Sequence, residues 1–244
     1  MTTTGANAPN GGEPTANGRN VIAIDGPAGS GKTTIAVLLA ARLGAVYLDT
    51  GLLYRAATWL ALERGWGTDD GVRLASAIDE GAIALRPATV HDGRHVDVLV
   101  FGKDVTADLR TPRIDRAVSA YSALPEVRAA LLPVQRAFAR DRTVIMVGRD
   151  IATTVFPDAR VQIYLDASAQ ERARRRYREL QAAGSSLTLA DVEADLIRRD
   201  EVDSSRAASP LAQASSAIRI DTDGKGVSQV VDEVSAAIRD RQVQ

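Results

Sequence analysis

The nine residues GPAGSGKTT, Gly26 to Thr34, limit this 244-residue chain more than any other stretch. They follow the apolar run VIAID (21–25) and open an Ala-rich segment, so they read as the turn from a buried strand into a helix. The pattern is G-x-x-x-x-G-K-[ST], in the strand-before, helix-after context that gives it meaning. Gly26, Pro27, Ala28, Gly29, Ser30 and Gly31 are small enough for successive backbone N–H groups to converge on phosphate oxygens, and the helix N-terminus adds roughly half a positive charge. Lys32 is placed to reach a β- and a γ-phosphate, Thr33 offers a hydroxyl to Mg2+, and Thr34 carries the loop into the helix. A chain built around this turn is expected to hold a nucleoside triphosphate.

Four further runs resemble the first: AVYLD (45–49), TVIMV (143–147), VQIYL (161–165) and AIRID (217–221). They are nearly continuously apolar rather than alternating, which is how strands covered on both faces of a parallel sheet read. The expected fold is α/β, with a central five-stranded parallel sheet flanked by helices. One helix is predicted over Lys32–Leu43, with Ile35, Leu38, Leu39 and Leu43 on its inner face and Gly44 closing it. SAQE, Ser168–Glu171, has the spacing of a capping box, and the helix it opens should stop near Gly184. A last helix is predicted from about Ser228, burying Val230, Val231, Val234 and Ile238.

The gap from Trp59 to about Arg142 is too long for one crossover. Alternation around HDG predicts a small antiparallel element inserted at about 72–107. His91 and His95 flank that turn and are expected at the surface rather than on a metal, and Trp59 and Trp66 are expected to pack. Residues 1–19 are rich in Gly, Asn, Thr and Pro without apolar period and are expected to form a disordered tail before a single domain over 20–244.

Composition narrows the partners. Thirty Lys and Arg against thirty-one Asp and Glu leave a net charge of -1, so no global field draws the chain to nucleic acid or to a membrane. The absence of cysteine excludes disulfides, thiolate catalysis and a cysteine zinc site. No run approaches 18 apolar residues and no signal peptide opens the chain, so a soluble, cytoplasmic protein is expected.

The phosphate acceptor has to be found elsewhere. An acceptor phosphate, with a second pKa of about 6, is already a nucleophile near neutral pH, so charge neutralisation matters more than a catalytic base. Arginines in several separate places are the expected signature. LDTGLLYR ends in Arg55, LPEVR in Arg128, and VGRD pairs Arg149 with Asp150. ERARRRYR holds Arg172, Arg174, Arg175, Arg176 and Arg178, and IRRDEVDSSR adds Arg198, Arg199 and Arg206. Arg149–Asp150 and Asp49–Thr50 directly follow predicted strands, where open α/β sheets place ligands.

Taken in order, IDGPAGSGKTT, YLDTGLLYRA, GRDIATTVFPDA, YLDASAQERARRRYREL and RRDEVDSSRAASPL resemble the bacterial cytidylate kinases, from about Val21 to Ile238. The resemblance implies a P-loop NTPase-type sheet with an inserted NMP-binding element at about 72–107 and a mobile lid at about 172–190. It implies phosphoryl transfer from ATP to CMP or dCMP by a monomer, with Mg2+ as cofactor. Carried over by position, Thr50 and Arg55 meet the acceptor phosphate, with Arg149, Arg199 and Arg206 closing around it. Asp203 binds the sugar hydroxyls, and Ser119, Arg128 and Asp150 face the base. Lys32, Arg149, Arg175 and Arg176 are the candidates to act on the transferring group.

Cytosine suits that assignment, since a carboxylate accepts from its exocyclic amine while uracil presents a carbonyl there. Arg172 and Arg178 are equally open to structural pairing with Glu171 and Glu179. Two positions depart from the family pattern: Val147 stands where relatives often carry an acid, and Ala152 where they often carry glycine. Both are expected at the floor of the acceptor pocket. With the acid missing, Asp49 is the remaining partner for Thr33 in holding Mg2+. A kinase preferring UMP or AMP is the nearest alternative. An ATP-dependent switch or binding module is the rival from another class, and it leaves the arginine motifs unexplained.

Overall fold

The computed structural model describes residues 18–242, so most of the expected tail, residues 1–17, lies outside the described residues. Gly18 and Arg19, also assigned to the tail, form a 3-10 turn with Asn20; the Gly18 N–H donates to Asp158 at 3.1 Å. The elements then run β1 (Val21–Asp25), α1 (Lys32–Leu43), β2 (Val46–Asp49), α2 (Gly51–Arg64), α3 (Gly71–Asp79), β3 (Ile83–Pro87), β4 (Val96–Val100) and β5 (Lys103–Asp104). They continue as α4 (Pro112–Ser122), α5 (Pro125–Phe138), β6 (Val144–Gly148), β7 (Val161–Asp166), α6 (Ala169–Ala182), α7 (Leu189–Ser205), β8 (Ile218–Asp221) and α8 (Val227–Gln242).

All five predicted strand runs enter one parallel sheet, in the order β2-β6-β1-β7-β8. Its two-sided burial explains the unbroken apolar runs. Val21 and Ala23 of β1, with Val144 and Met146 of β6, face a core that holds Leu53 of α2, Leu74 of α3, Val118 of α4 and Leu131 of α5. Their neighbours Ile22, Ile24, Ile145 and Val147 face Ile35 and Leu39 of α1 and Val231 and Val234 of α8. Removing a side chain such as Ile24 to alanine should therefore cost about 2–5 kcal/mol.

Helix α1 has the predicted bounds, but its inner face differs. Ile35, Ala36, Leu39 and Ala40 are buried, whereas Leu38 and Leu43 are 44% and 42% exposed. Ala36 and Ala40 let the helix axis approach the sheet closely, which turns Leu38 and Leu43 outward. α8 buries its four predicted residues. At Ser168 only half of the capping box forms: Ser168 Oγ accepts from the Glu171 N–H at 3.2 Å, while the Ser168 N–H donates to Asp223.

The expected antiparallel element is a three-stranded sheet, β3-β4-β5, with the HDG turn in the loop joining β3 and β4. Arg94 locks that loop, contacting Asp92, Asp97 and Asp104. Trp59 and Trp66 pack against the main core. His91 and His95 are exposed, and His95 sets its ring edge-on against Tyr47 of β2 at 5.1 Å. Among the described residues, no helix is long and apolar enough to cross a membrane.

Candidate active site

The C-terminal ends of β1, β2, β6 and β7 lie at one edge of the sheet, and the segments directly after the first three carry Gly26–Gly31, Thr50, and Arg149 with Asp150. After β1, Gly26, Gly29 and Gly31 take positive φ values of 148°, 79° and 90°, a path that residues with side chains resist. Close packing adds a second demand at Gly26, where a Cβ would stand 2.0 Å from the Leu165 carbonyl oxygen. Gly31 caps α1 without a side-chain hydrogen bond, so the first amides of the helix are not taken by a cap.

Lys32 is buried, and its Nζ donates to the Pro27 carbonyl at 2.6 Å and to Ser30 Oγ at 3.4 Å. Burial, reinforced by the nearby charge of Arg149, pushes its pKa well below the usual lysine value, while Asp49 and Asp25 act to restore it.

Thr33 and Thr34 are exposed at the start of α1. Asp49 closes β2, accepts from the Gly51 N–H at 3.0 Å, and lies 3.7 Å from the Arg110 guanidinium. Thr33 and Asp49 fit a small hard cation: both present oxygen, and Mg2+ takes few protein ligands when phosphates and water supply the rest. Val147 packs in the core between sheet and α1, so its side chain is not in the pocket floor, although its carbonyl accepts from Thr50 N and Oγ1. Asp49 is the register partner of Val147 on the next strand, which puts its carboxylate beside the position that lacks an acid.

Four arginines of the acceptor face, Arg55, Arg128, Arg149 and Arg206, are held in closed pairs. Arg55 donates to the Leu109 carbonyl at 2.9 Å and pairs with Asp115 at 2.6 Å. Asp203 is buried between two cations, receiving Arg149 Nε at 2.9 Å on one oxygen and Arg206 at 3.4 Å on the other. Arg128 and Asp150 form a buried ion pair, and the Arg128 guanidinium also donates to the Ser122 carbonyl. Ser119 is half-buried one turn before Ser122, on α4. Thr50 is buried with its hydroxyl proton committed to Val147.

Burial, and then the like charge of Arg149, lower the pKa of Arg199 to about 10. Burial, with Arg128 alongside, lowers that of Arg206. Among the described residues, Arg128 Nε, one terminal nitrogen of Arg206 and Gln135 Oε1 are buried without a hydrogen-bond partner. Such orphans are costly, and they suit a polar ligand.

The second arginine cluster divides by helix face. Arg172 is buried, donates to the Ala28 carbonyl of the phosphate loop at 3.1 Å, and pairs with Asp200 of α7 at 2.6 Å, not with Glu171. Glu171 instead pairs with Arg175 at 3.0 Å, and Arg175 also donates to Thr222 Oγ1 at 2.9 Å and to its carbonyl at 2.6 Å. Arg176 takes Glu179 at 3.0 Å on an exposed face, and Arg178 is exposed. Residues 172–190 thus run from α6 through the 183–188 turn into α7, and Ala28, Ala173, Val192 and Leu196 pack that helix pair against the loop.

Several contributors escape sequence reasoning. The Tyr54 ring lies 4.8 Å beneath the Arg128 guanidinium, and burial lifts its pKa to about 12. Only its place in front of Arg55 hinted at a role. Asp115, Asp200 and Thr222 hold arginines, but nothing local in the sequence marks them. Arg110 is exposed beside Asp49 and borders a cavity of about 620 Å3 between α1, β2 and the β3–β4 loop, which also reaches Thr33 and His95. That cavity meets the Thr33–Asp49 end of the site but not Arg149 or Asp150.

The chain is similar to known proteins over most of its length. The cytidylate kinase family profile matches residues 22–240. The bifunctional pantoate ligase/cytidylate kinase of Synechococcus elongatus is 45% identical over 224 residues, which are 91% of this chain and 42% of that longer protein. The chain therefore spans about two fifths of the length of that relative. The cytidylate kinase of Symbiobacterium thermophilum is 46% identical over 214 residues, covering 88% of this chain and 93% of the relative. That of Geobacter sulfurreducens is 43% identical, covering 91% and 94%. By its motifs, its sheet and these relatives, the chain belongs to the cytidylate kinase family.

Proposed function

We propose that the chain transfers the γ-phosphoryl group of ATP to CMP or dCMP, giving CDP or dCDP and ADP. The observation that carries this reading is the meeting, at one sheet edge, of a glycine loop preceding α1 with a largely buried set of arginine–carboxylate pairs whose arginines come from α2, α5, the loop after β6 and the end of α7. Two anions that repel one another need both halves.

Backbone amides of Gly26–Thr33 and the Lys32 ammonium hold the ATP phosphates. Thr33 and Asp49 are the residues that would hold Mg2+, which when bound neutralises charge on the β- and γ-phosphate oxygens. Arg55, Arg149 and Arg199, with Thr50, take the acceptor phosphate, so Arg55 exchanges Asp115 and Arg149 exchanges Asp203 for the ligand. Arg206 supports that group, and Asp203, once released, takes the sugar hydroxyls. Asp150 accepts from the cytosine amine, and Arg128 and Ser119 meet the ring edge. Uracil would face Asp150 with a carbonyl and leave a buried carboxylate unmatched.

Arg175 and Arg176 reach the transferring group when residues 172–190 close as a lid. Arg175 then gives up Thr222, and closure excludes water that would otherwise hydrolyse ATP. The 72–107 element closes from the other side over the monophosphate. The protein works as a cytoplasmic monomer.

Initial rates of ADP formation with CMP, dCMP, UMP and AMP test the reading. Turnover of CMP and dCMP far above UMP and AMP is expected. Preference for UMP or AMP overturns the base assignment, and tight ATP binding without acceptor-dependent ADP would mark a switch instead.

A further inference from the structure

Asp25 ends β1 and immediately precedes the phosphate loop, yet none of the roles above uses it. Its side chain is buried. Both carboxylate oxygens are engaged by backbone donors: one accepts from the Ile151 N–H at 2.9 Å, the other from the Ala152 N–H at 2.8 Å. These amides open the π-helical turn Ile151–Val155, directly after Arg149 and Asp150. One side chain thus grips, at two points, the segment that carries a proposed phosphate contact and the proposed base reader. Two points of attachment fix rotation as well as distance. The near end is rigid too, because β1 is hydrogen-bonded to β6 on one side and β7 on the other, and Gly26 is wedged against Leu165.

The residue type matters. The turn presents two donors, and an ionised carboxylate offers two acceptors and no donor, whereas asparagine would set its NH2 against one of the N–H groups. Burying that charge is costly. Burial raises the Asp25 pKa to about 6, opposed by the two amides. The charged groups facing it are Lys32 of α1, which favours its ionised form, and Asp150 in the gripped loop, which opposes it; Tyr164 of β7 lies within its field. In return, Asp25 helps to keep Lys32 protonated.

We propose that Asp25 is a positioning residue that fastens the acceptor loop, Arg149–Ala152, to the donor loop, so that the acceptor phosphate is presented in line with the γ-phosphate. This inference rests on the phosphotransferase reading above. Its test compares wild type with Asp25→Asn, varying CMP at saturating ATP. The variant should lose on the order of 10- to 100-fold in kcat, as expected for a reacting group misplaced by a fraction of an ångström to about 1 Å, with a smaller change in its Kd for a fluorescent ATP analogue, since Asp25 also supports the charge of Lys32.

CMP itself ionises near pH 6, but equally for both enzymes, so the ratio of wild type to variant isolates Asp25. That ratio should be largest near pH 8 and shrink toward one as the pH falls through about 6 and the carboxyl takes up its proton. Over the same interval, hydrogen-exchange protection of the Ile151 and Ala152 amides in the wild-type protein, corrected for intrinsic rates, should drop; this readout decides the matter if the variant fails to fold. Wild-type kcat in the variant, a ratio flat from about pH 5 to 8, or constant amide protection overturns the proposal. If wild type itself forms no ADP with CMP, the phosphotransferase reading fails, and amide exchange still judges the Asp25 tie.

Discussion

On the proposed reading, the donor loop and the acceptor face would solve the same problem, holding an anion, with opposite materials. The loop uses backbone amides, three glycines at positive φ and a single buried lysine within one short stretch. The face uses side chains drawn from residues 50 to 206, and it holds them as Arg128–Asp150, Arg149–Asp203–Arg206 and Arg55–Asp115. Amides need no counter-ion, and the loop is held instead by hydrogen bonds to its carbonyls, from Lys32 to Pro27 and from Arg172 to Ala28. Buried guanidiniums do need a counter-ion, because an unpaired buried charge costs several kcal/mol, and Arg55, Arg128, Arg149 and Arg206 therefore come pre-paired. On that reading, binding at the loop would add contacts, whereas binding at the face would exchange them, and exchange is what lets a site reject a near-isosteric ligand.

The sharpest way to break this contrast is Lys32→Ala. Its loss should lower kcat by about 10³-fold with every acceptor, since it serves the donor side alone. A loss confined to one acceptor nucleotide would merge the two regions. Asp203→Ala should act next most strongly, by leaving Arg149 and Arg206 without their shared carboxylate. An unfolding free energy lower by about 3 kcal/mol, read from denaturant midpoints, is expected together with weaker CMP binding and unchanged ATP binding.

Asp150→Asn should reduce the ratio of kcat/KM for CMP over UMP by about 10²-fold, and an unchanged ratio would show that Asp150 does not read the base. The pH dependence of stability gives a finer probe. Asp25 has a folded-state pKa of about 6 against an ordinary 3.8, so its contribution is fully present below about pH 4 and is lost as the pH rises through about 6. Relative to Asp25→Asn, wild type should lose on the order of 2 kcal/mol between about pH 4 and 7. The smallest effect is expected at the surface, where Glu63→Gln removes the exposed pair with Arg113 and should change stability by less than about 0.5 kcal/mol.

The same division decided what the sequence made legible. The loop is local, so motif, strand and helix were all readable from Val21 to Leu43, and the five strand runs were readable because two-sided burial leaves them unbroken. The inner face of α1 was not, because periodicity ranks leucine above alanine, while close approach to the sheet favours Ala36 and Ala40 and leaves Leu38 outside. At the acceptor face the arginines stood out by type and place, but their partners did not. Asp115 and Asp200 lie far along the chain from Arg55 and Arg172, and Tyr54 carries no charge to betray its place under Arg128. Local spacing leaves pairing with Glu171 open for Arg172, and the fold pairs it with Asp200 because Arg172 faces the phosphate loop and α7, not the helix surface.

A crystal structure of the ternary complex with CMP and a non-hydrolysable ATP analogue tests the central claim most directly. The account predicts the CMP phosphate on Arg55, Arg149 and Arg199, its base against Asp150 with Arg128 alongside, Asp115 and Asp203 released from their arginines, and the acceptor oxygen in line with the γ-phosphate over Gly26–Thr33. A monophosphate seated away from that loop, with the arginine–carboxylate pairs still closed, would contradict it.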